Sequence, residues 1–214
     1  MNHQHYEFTL KALDHGKHVL CEKPLAGKNR FVTELGASPL NDIGCYTIGF
    51  ALWVFNNEKP ERISALGRIQ NGCDMWSVIS LEFPNNRKAV LTYSAEDFTP
   101  VDAMITCEKG RYHLPQFFNA PTKVVRYEIK ALIRGNIRDI EEKEFNFDNF
   151  ENDKTPYNLA RNSGLRYEAD HVYECIKAGK KESELVPFED TLLVVQIMDE
   201  VRKQLGVVYG PDKH

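Results

Sequence analysis

A buried strand that closes on Glu-Lys-Pro cannot form a parallel sheet alone, and residues 17–24 of this chain read as such a strand. The run is His18-Val19-Leu20-Cys21-Glu22-Lys23-Pro24, entered through Gly16 and Lys17. Upstream, residues 3–15 predict a helix. Phe8 and Ala12 fall at helical spacing with His5 and His15, Leu10 and Leu13 flank that stripe, and Gly16 supplies the stop. Helix then strand is half of a βαβ unit, which takes roughly 30 residues or more. Pro24 fixes its own φ and restricts Lys23 to extended conformations, so the lysine is aimed. The plain alternative is a strand that ends in a turn with a solvated lysine.

Downstream, Gly36-Ala37-Ser38-Pro39-Leu40-Asn41-Asp42 reads as a turn that enters a helix. Asp42 and Tyr46 stand four apart, on one helix face, beside an apolar stripe of Ile43, Thr47, Phe50, Ala51 and Val54. Taken alone, Asp42 is a first-turn acid favoured by the helix dipole and Tyr46 a half-buried aromatic. From 61 to 145 the pattern becomes one of strands: Ile63–Ile69, Ser77–Phe83, Ala89–Ser94, Ala103–Cys107 and Ile137–Phe145, punctuated by Asn71-Gly72 and Pro84-Asn85-Asn86. They predict a mainly antiparallel sheet. Ile79, Leu81 and Phe83 point to one side, for helices to cover, and Trp76 and Val78 to the other, which needs a partner or the chain's own loops. Residues 146–162 read as a polar surface loop. A helix follows from Ser163 to about Ala178, stopped by Gly179, and a last one opens at Pro187 and stops at Gly206.

Two of these stretches carry a resemblance. Gly16-Lys17-His18-Val19-Leu20-Cys21-Glu22-Lys23-Pro24-Leu25-Ala26 resembles the signature of the glucose-fructose oxidoreductase / inositol dehydrogenase family of NAD(P)-dependent dehydrogenases. The run from Gly36 to Tyr46 resembles that family's glycine-rich turn and second site helix, in the right order. Tyr46 stands where inositol-dehydrogenase-like members carry His, which points to the branch that oxidises dihydrodiols and D-xylose. The resemblance implies a hydride transfer from a sugar or cyclic diol carbinol to NADP. Tyr46 would be the general acid/base, and Lys23 would supply the nearby cation that a tyrosine needs to act as a base. Asp42 and His5 would orient substrate, and Asn2, Glu22, Lys23 and Pro24 would border the cofactor. Read without the family, Asn2 is a helix cap and His5 a polar first-turn side chain. The resemblance also implies dimerisation through the sheet.

In the family, further α/β units separate the Glu-Lys-Pro turn from sequence like Gly27-Lys28-Asn29, so a gap is expected near Ala26–Gly27. The 13 glycines include no pair two apart, so the G-x-G that lets a backbone approach a pyrophosphate is missing. The expected class is therefore α+β. Residues 1–26 form a shortened remnant of a Rossmann-type dinucleotide-binding domain. Residues 27–186 form a domain for substrate and dimerisation, with a large, mainly antiparallel open-faced sheet covered by helices on one side. Residues 187–214 form a helix and tail that pack back on the fold.

A net charge of −4 gives no basic stripe for nucleic acid. The longest apolar run, Thr47 to Phe55, is about half of a membrane span, and the N-terminus carries no secretory pattern. Five scattered cysteines without a C-x-x-C pair suit reduced thiols in the cytoplasm. His3 with His5, and His171 with Glu174, lack further ligands, so no metal is expected. Two functions stay open: an oxidoreductase of the dihydrodiol/D-xylose type, and a non-catalytic partner that forms a homodimer or pairs with a longer relative.

Overall fold

The computed structural model describes residues 2–21, 23, 36–133, 136–147 and 164–210. They fall into two compact units, Met1–Thr99 with Cys175–His214, and Pro100–Glu174.

The first unit begins with α1 (Asn2–Asp14). Gly16 ends it at φ 65°, where only a residue without a Cβ sits comfortably. The Lys17 amide reaches back to Ala12 O and that of Gly16 to Leu13 O, both at 2.9 Å, a Schellman close. The expected strand over Lys17–Glu22 does not form: residues 17–21 carry no strand pairing and are exposed, and Glu22 lies outside the described residues. A strand exists only by bonding to a neighbour, and among the described residues none lies alongside. Tyr6, Phe8, Leu13 and Leu20 are each more than half exposed.

Beyond Gly36 the chain enters a π-helix, Leu40–Gly44, which runs directly into α2 (Cys45–Val54). Strands β1 (Arg62–Gln70), β2 (Cys73–Phe83) and β3 (Arg87–Ser94) form an antiparallel meander in that order. Asn71 and Gly72 both adopt positive φ in the first hairpin, as the Asn-Gly pair predicts. Ile79, Leu81 and Phe83 face inward and meet Ile48, Ala51 and Leu52 of α2. Ile197 and Val201 of α4 (Phe188–Leu205) complete that core, so helices cover one side of the sheet as expected. Leu66 and Val90 lie on the other face, 61% and 68% exposed. Gly206, at φ 74°, closes α4.

Gly67 of β1 sits opposite Ser77. A Cβ there would run into the Trp76 carbonyl and come within 3.2 Å of Ser77 Cα. Gly67→Ala is therefore expected to cost about 1–3 kcal/mol, the scale of overpacking, read as a lower denaturant midpoint.

The second unit holds an antiparallel sheet of β4 (Ala103–Cys107), β5 (Gly110–Leu114), β6 (Lys123–Ile133) and β7 (Asn136–Asn146). The α+β, antiparallel class holds, with the strands shared between two sheets. Helix α3 (Leu165–Lys177) follows and closes at Gly179, φ 69°. The loop expected over 146–162 and the cap expected at Ser163 lie largely outside the described residues. All five cysteines are free thiols. Among the described residues no cluster could hold a metal ion, and no helix is long and apolar enough to cross a membrane.

Candidate active site

The π-helix is the local device that builds the site. Its first residues follow Ser38-Pro39, and proline is well suited to a helix start. The Cys45 amide reaches back five residues to Leu40 O, the bond that defines the wider turn. That turn carries Asp42 into a setting where its side chain is 7% exposed. Asp42 and Tyr46 remain on one side, because a single cation touches both.

That cation is Lys23. Its Nζ lies 3.1 Å from Asp42 Oδ1 and 3.1 Å from the Asp42 carbonyl oxygen. It stands 4.6 Å from the centroid of the Tyr46 ring. Burial alone pulls the ammonium's pKa down, but hydrogen bonding and charge from Tyr46 and Asp42 outweigh it, and the net direction is upward. The lysine stays protonated across the neutral range, a fixed positive charge beside a phenol and a carboxylate. The neighbouring Cys45 thiol is pushed up by burial, against the pull of Lys23, and so is no nucleophile at neutral pH.

Lys23, Asp42 and Tyr46 are thus brought together as the sequence suggested. His5 is half-buried on the first turn of α1, with Nδ1 buried and without a hydrogen-bond partner among the described residues. No contact among the described residues joins it to the other three. Glu22, Pro24 and the side chain of Asn2 lie outside the described residues.

A second layer supports the π-helix from behind. Asp74, at the start of β2, is fully buried and accepts from the Leu40 amide (2.8 Å) and the Tyr93 hydroxyl (2.7 Å), both on Oδ2. Ser38 Oγ and Tyr209 OH share a hydrogen bond of 2.7 Å, and the Asp42 amide donates to Ser38 O at 3.0 Å. Burial raises the pKa of Asp74, against the hydrogen bonds it accepts, and burial together with the charge of Asp74 raises that of the Tyr93 hydroxyl. The sequence carried one signal for this layer: an aspartate near the start of a strand, where that residue type is disfavoured.

Comparisons with known proteins place this fold in one class. Residues 15–113 match the model of the GFO/IDH/MocA C-terminal domain, and the chain belongs to the GFO/IDH/MocA family. Among curated relatives, trans-1,2-dihydrobenzene-1,2-diol dehydrogenase of Xenopus laevis is 36% identical over 177 residues, 82% of this chain and 49% of the relative. The chain spans about half the length of the curated relatives it matches. Among solved structures, UDP-N-acetylglucosamine 3-dehydrogenase from Acidithiobacillus ferrooxidans superimposes with a TM-score of 0.60 at 14% identity, over 78% of this chain and 49% of that one. A 3-ketoreductase from Actinomadura kijaniata, in complex with TDP-benzene and NADP, gives 0.57 at 16% identity over 95% of this chain and 66% of that one. At these identities the structural likeness shows the fold alone.

Proposed function

We propose that this chain carries the proton-handling half of an NADP-dependent oxidoreductase of the dihydrodiol/D-xylose type. The observation that carries the reading is the Lys23 ammonium held between the Asp42 carboxylate and the Tyr46 ring. Oxidation of a carbinol removes a hydride from carbon and a proton from oxygen. In its phenolate form the Tyr46 oxygen takes the proton, beside the Lys23 ammonium. Lys23 supplies that cation and donates a hydrogen bond to the substrate hydroxyl. Asp42 holds Lys23 in place and accepts from a second hydroxyl, which suits a vicinal diol or a sugar. By the resemblance, His5 would help to orient the substrate.

The cofactor is a nicotinamide dinucleotide that would take the hydride. The residues in view do not fit the whole of it: Lys23 suits the nicotinamide end, but no two glycines stand two apart to admit a pyrophosphate. The choice of NADP over NAD rests on the resemblance to the dihydrodiol/D-xylose branch. The five free thiols agree with a reducing, cytoplasmic setting.

A second reading has its own observation. The outer face of β1–β3, with Leu66 and Val90 uncovered by the described residues of its unit, suits a second copy or a longer relative. On that reading the chain is a dimerisation or regulatory partner without catalysis. Calorimetry with NADP and sedimentation of the purified chain separate the two. Micromolar NADP binding, with NADPH formed from D-xylose or a trans-dihydrodiol, is the expected result for the enzyme. A stable dimer without NADP affinity overturns it in favour of the partner.

A further inference from the structure

Asp74 is fully buried, has no cation among its hydrogen-bond partners in the described residues, and takes the Leu40 and Tyr93 bonds on a single oxygen, with the Ser38 hydroxyl also bearing on the carboxylate. Its other oxygen, Oδ1, is buried, with no hydrogen-bond donor placed on it by the described residues. A carboxylate so placed costs stability unless what it holds matters. What it holds is the first free amide of the π-helix, that of Leu40, at a helix start where Pro39 offers no side-chain cap. Tyr93 bonds the same oxygen and lays its ring against Gly44, where an added Cβ would meet the ring at 3.0 Å. One residue grips the start of the π-helix, the other its end, and Asp42 lies between them.

We propose that Asp74 and Tyr93 are positioning residues for the Lys23–Asp42–Tyr46 site: a cap supplied from the sheet that holds the π-helix wound so that Asp42 meets Lys23. Neither touches the reacting atoms. Ser38, through its carbonyl to the Asp42 amide and its hydroxyl to Tyr209, ties the same turn to the segment after α4. The role is one of geometry rather than charge, since one oxygen makes both contacts. Asparagine in place of Asp74 can keep both bonds on its own oxygen and set its amide where Oδ1 now lies. The inference rests on the reading of Lys23 and Tyr46 as the proton-handling pair.

The test reads Lys23 directly. Lysines are carbon-13 methylated, the Lys23 signal is assigned with Lys23→Arg, and its titration is followed by NMR in the wild type, Asp74→Asn, Asp74→Ala and Tyr93→Phe. The wild-type Lys23 is expected to titrate above the freely exposed lysines. Tyr93→Phe and Asp74→Ala should move it back toward them, and Asp74→Asn should hold it near the wild-type position. An unmoved Lys23 in folded Tyr93→Phe or Asp74→Ala overturns the proposal, as does an Asn variant that behaves like Ala. Should Asp74→Ala fail to fold, Tyr93→Phe, which deletes one hydroxyl, and Asp74→Asn decide between these outcomes. None of this needs turnover. A coupled Lys23 in a chain that forms no NADPH would leave the positioning intact and sink the catalytic reading instead.

Discussion

On the proposed oxidoreductase function, Tyr46→Phe is expected to lower NADPH formation from D-xylose or a dihydrodiol by about 10²–10⁴-fold, the usual worth of a positioned acid/base group. The substitution deletes one oxygen and keeps the ring over which Lys23 sits at 4.6 Å, so the cation and its 3.1 Å bond to Asp42 remain in place. Substrate affinity should change little, because Lys23 and Asp42 still meet its hydroxyls, and the loss should fall on kcat rather than KM. Lys23→Met removes the cation as well and should cost both parameters. The check is initial-rate kinetics on both variants. A Tyr46→Phe protein within threefold of the wild type would move the proton's acceptor elsewhere, and His5, with its buried Nδ1 unpaired among the described residues, would be the next candidate.

The site was legible where chemistry and spacing coincide. Lys23 before a proline, and Asp42 four residues before Tyr46, are local patterns, and the structure joins them through one ammonium. The winding that achieves this was not legible. No sequence rule separates a π-turn at Leu40–Gly44 from the first turn of an α-helix, because what holds it is Asp74, 34 residues away. The same logic runs through the fold. Glycine stops at 16, 179 and 206 were readable because a positive φ demands a residue without a Cβ. The strand expected over Lys17–Glu22 failed for the opposite reason: its residues are strand-like, but pairing belongs to a neighbour, not to the segment. β5 and β6 escaped notice because Arg111, Lys123, Arg126, Glu128 and Lys130 interrupt their apolar pattern. Those charges are met across the ladder, Lys123 by Glu144 and Lys130 by Glu141, so the strands tolerate them.

Phe83→Ala is expected to be the most damaging single change to the first unit, at about 3–5 kcal/mol. Phe83 is 2% exposed at the end of β2, its ring stacked on Phe55 with centroids 4.2 Å apart. It shares the cluster with Leu52, Ile197 and Val201, so truncation opens a void where α2 and α4 meet the sheet. Collapse around that void is limited, because Phe55 closes α2 and cannot follow without dragging the helix. The consequence reaches the site: α2 is continuous with the π-helix, and a shift of its far end works against the grip of Asp74 and Tyr93 on its near end. Urea unfolding followed by tryptophan fluorescence measures the loss, with Leu66→Ala on the exposed outer face as the control. That control should stay within about 0.5 kcal/mol in the monomer. A Phe83→Ala cost below about 1 kcal/mol would mean that helices and sheet are not held together by this core.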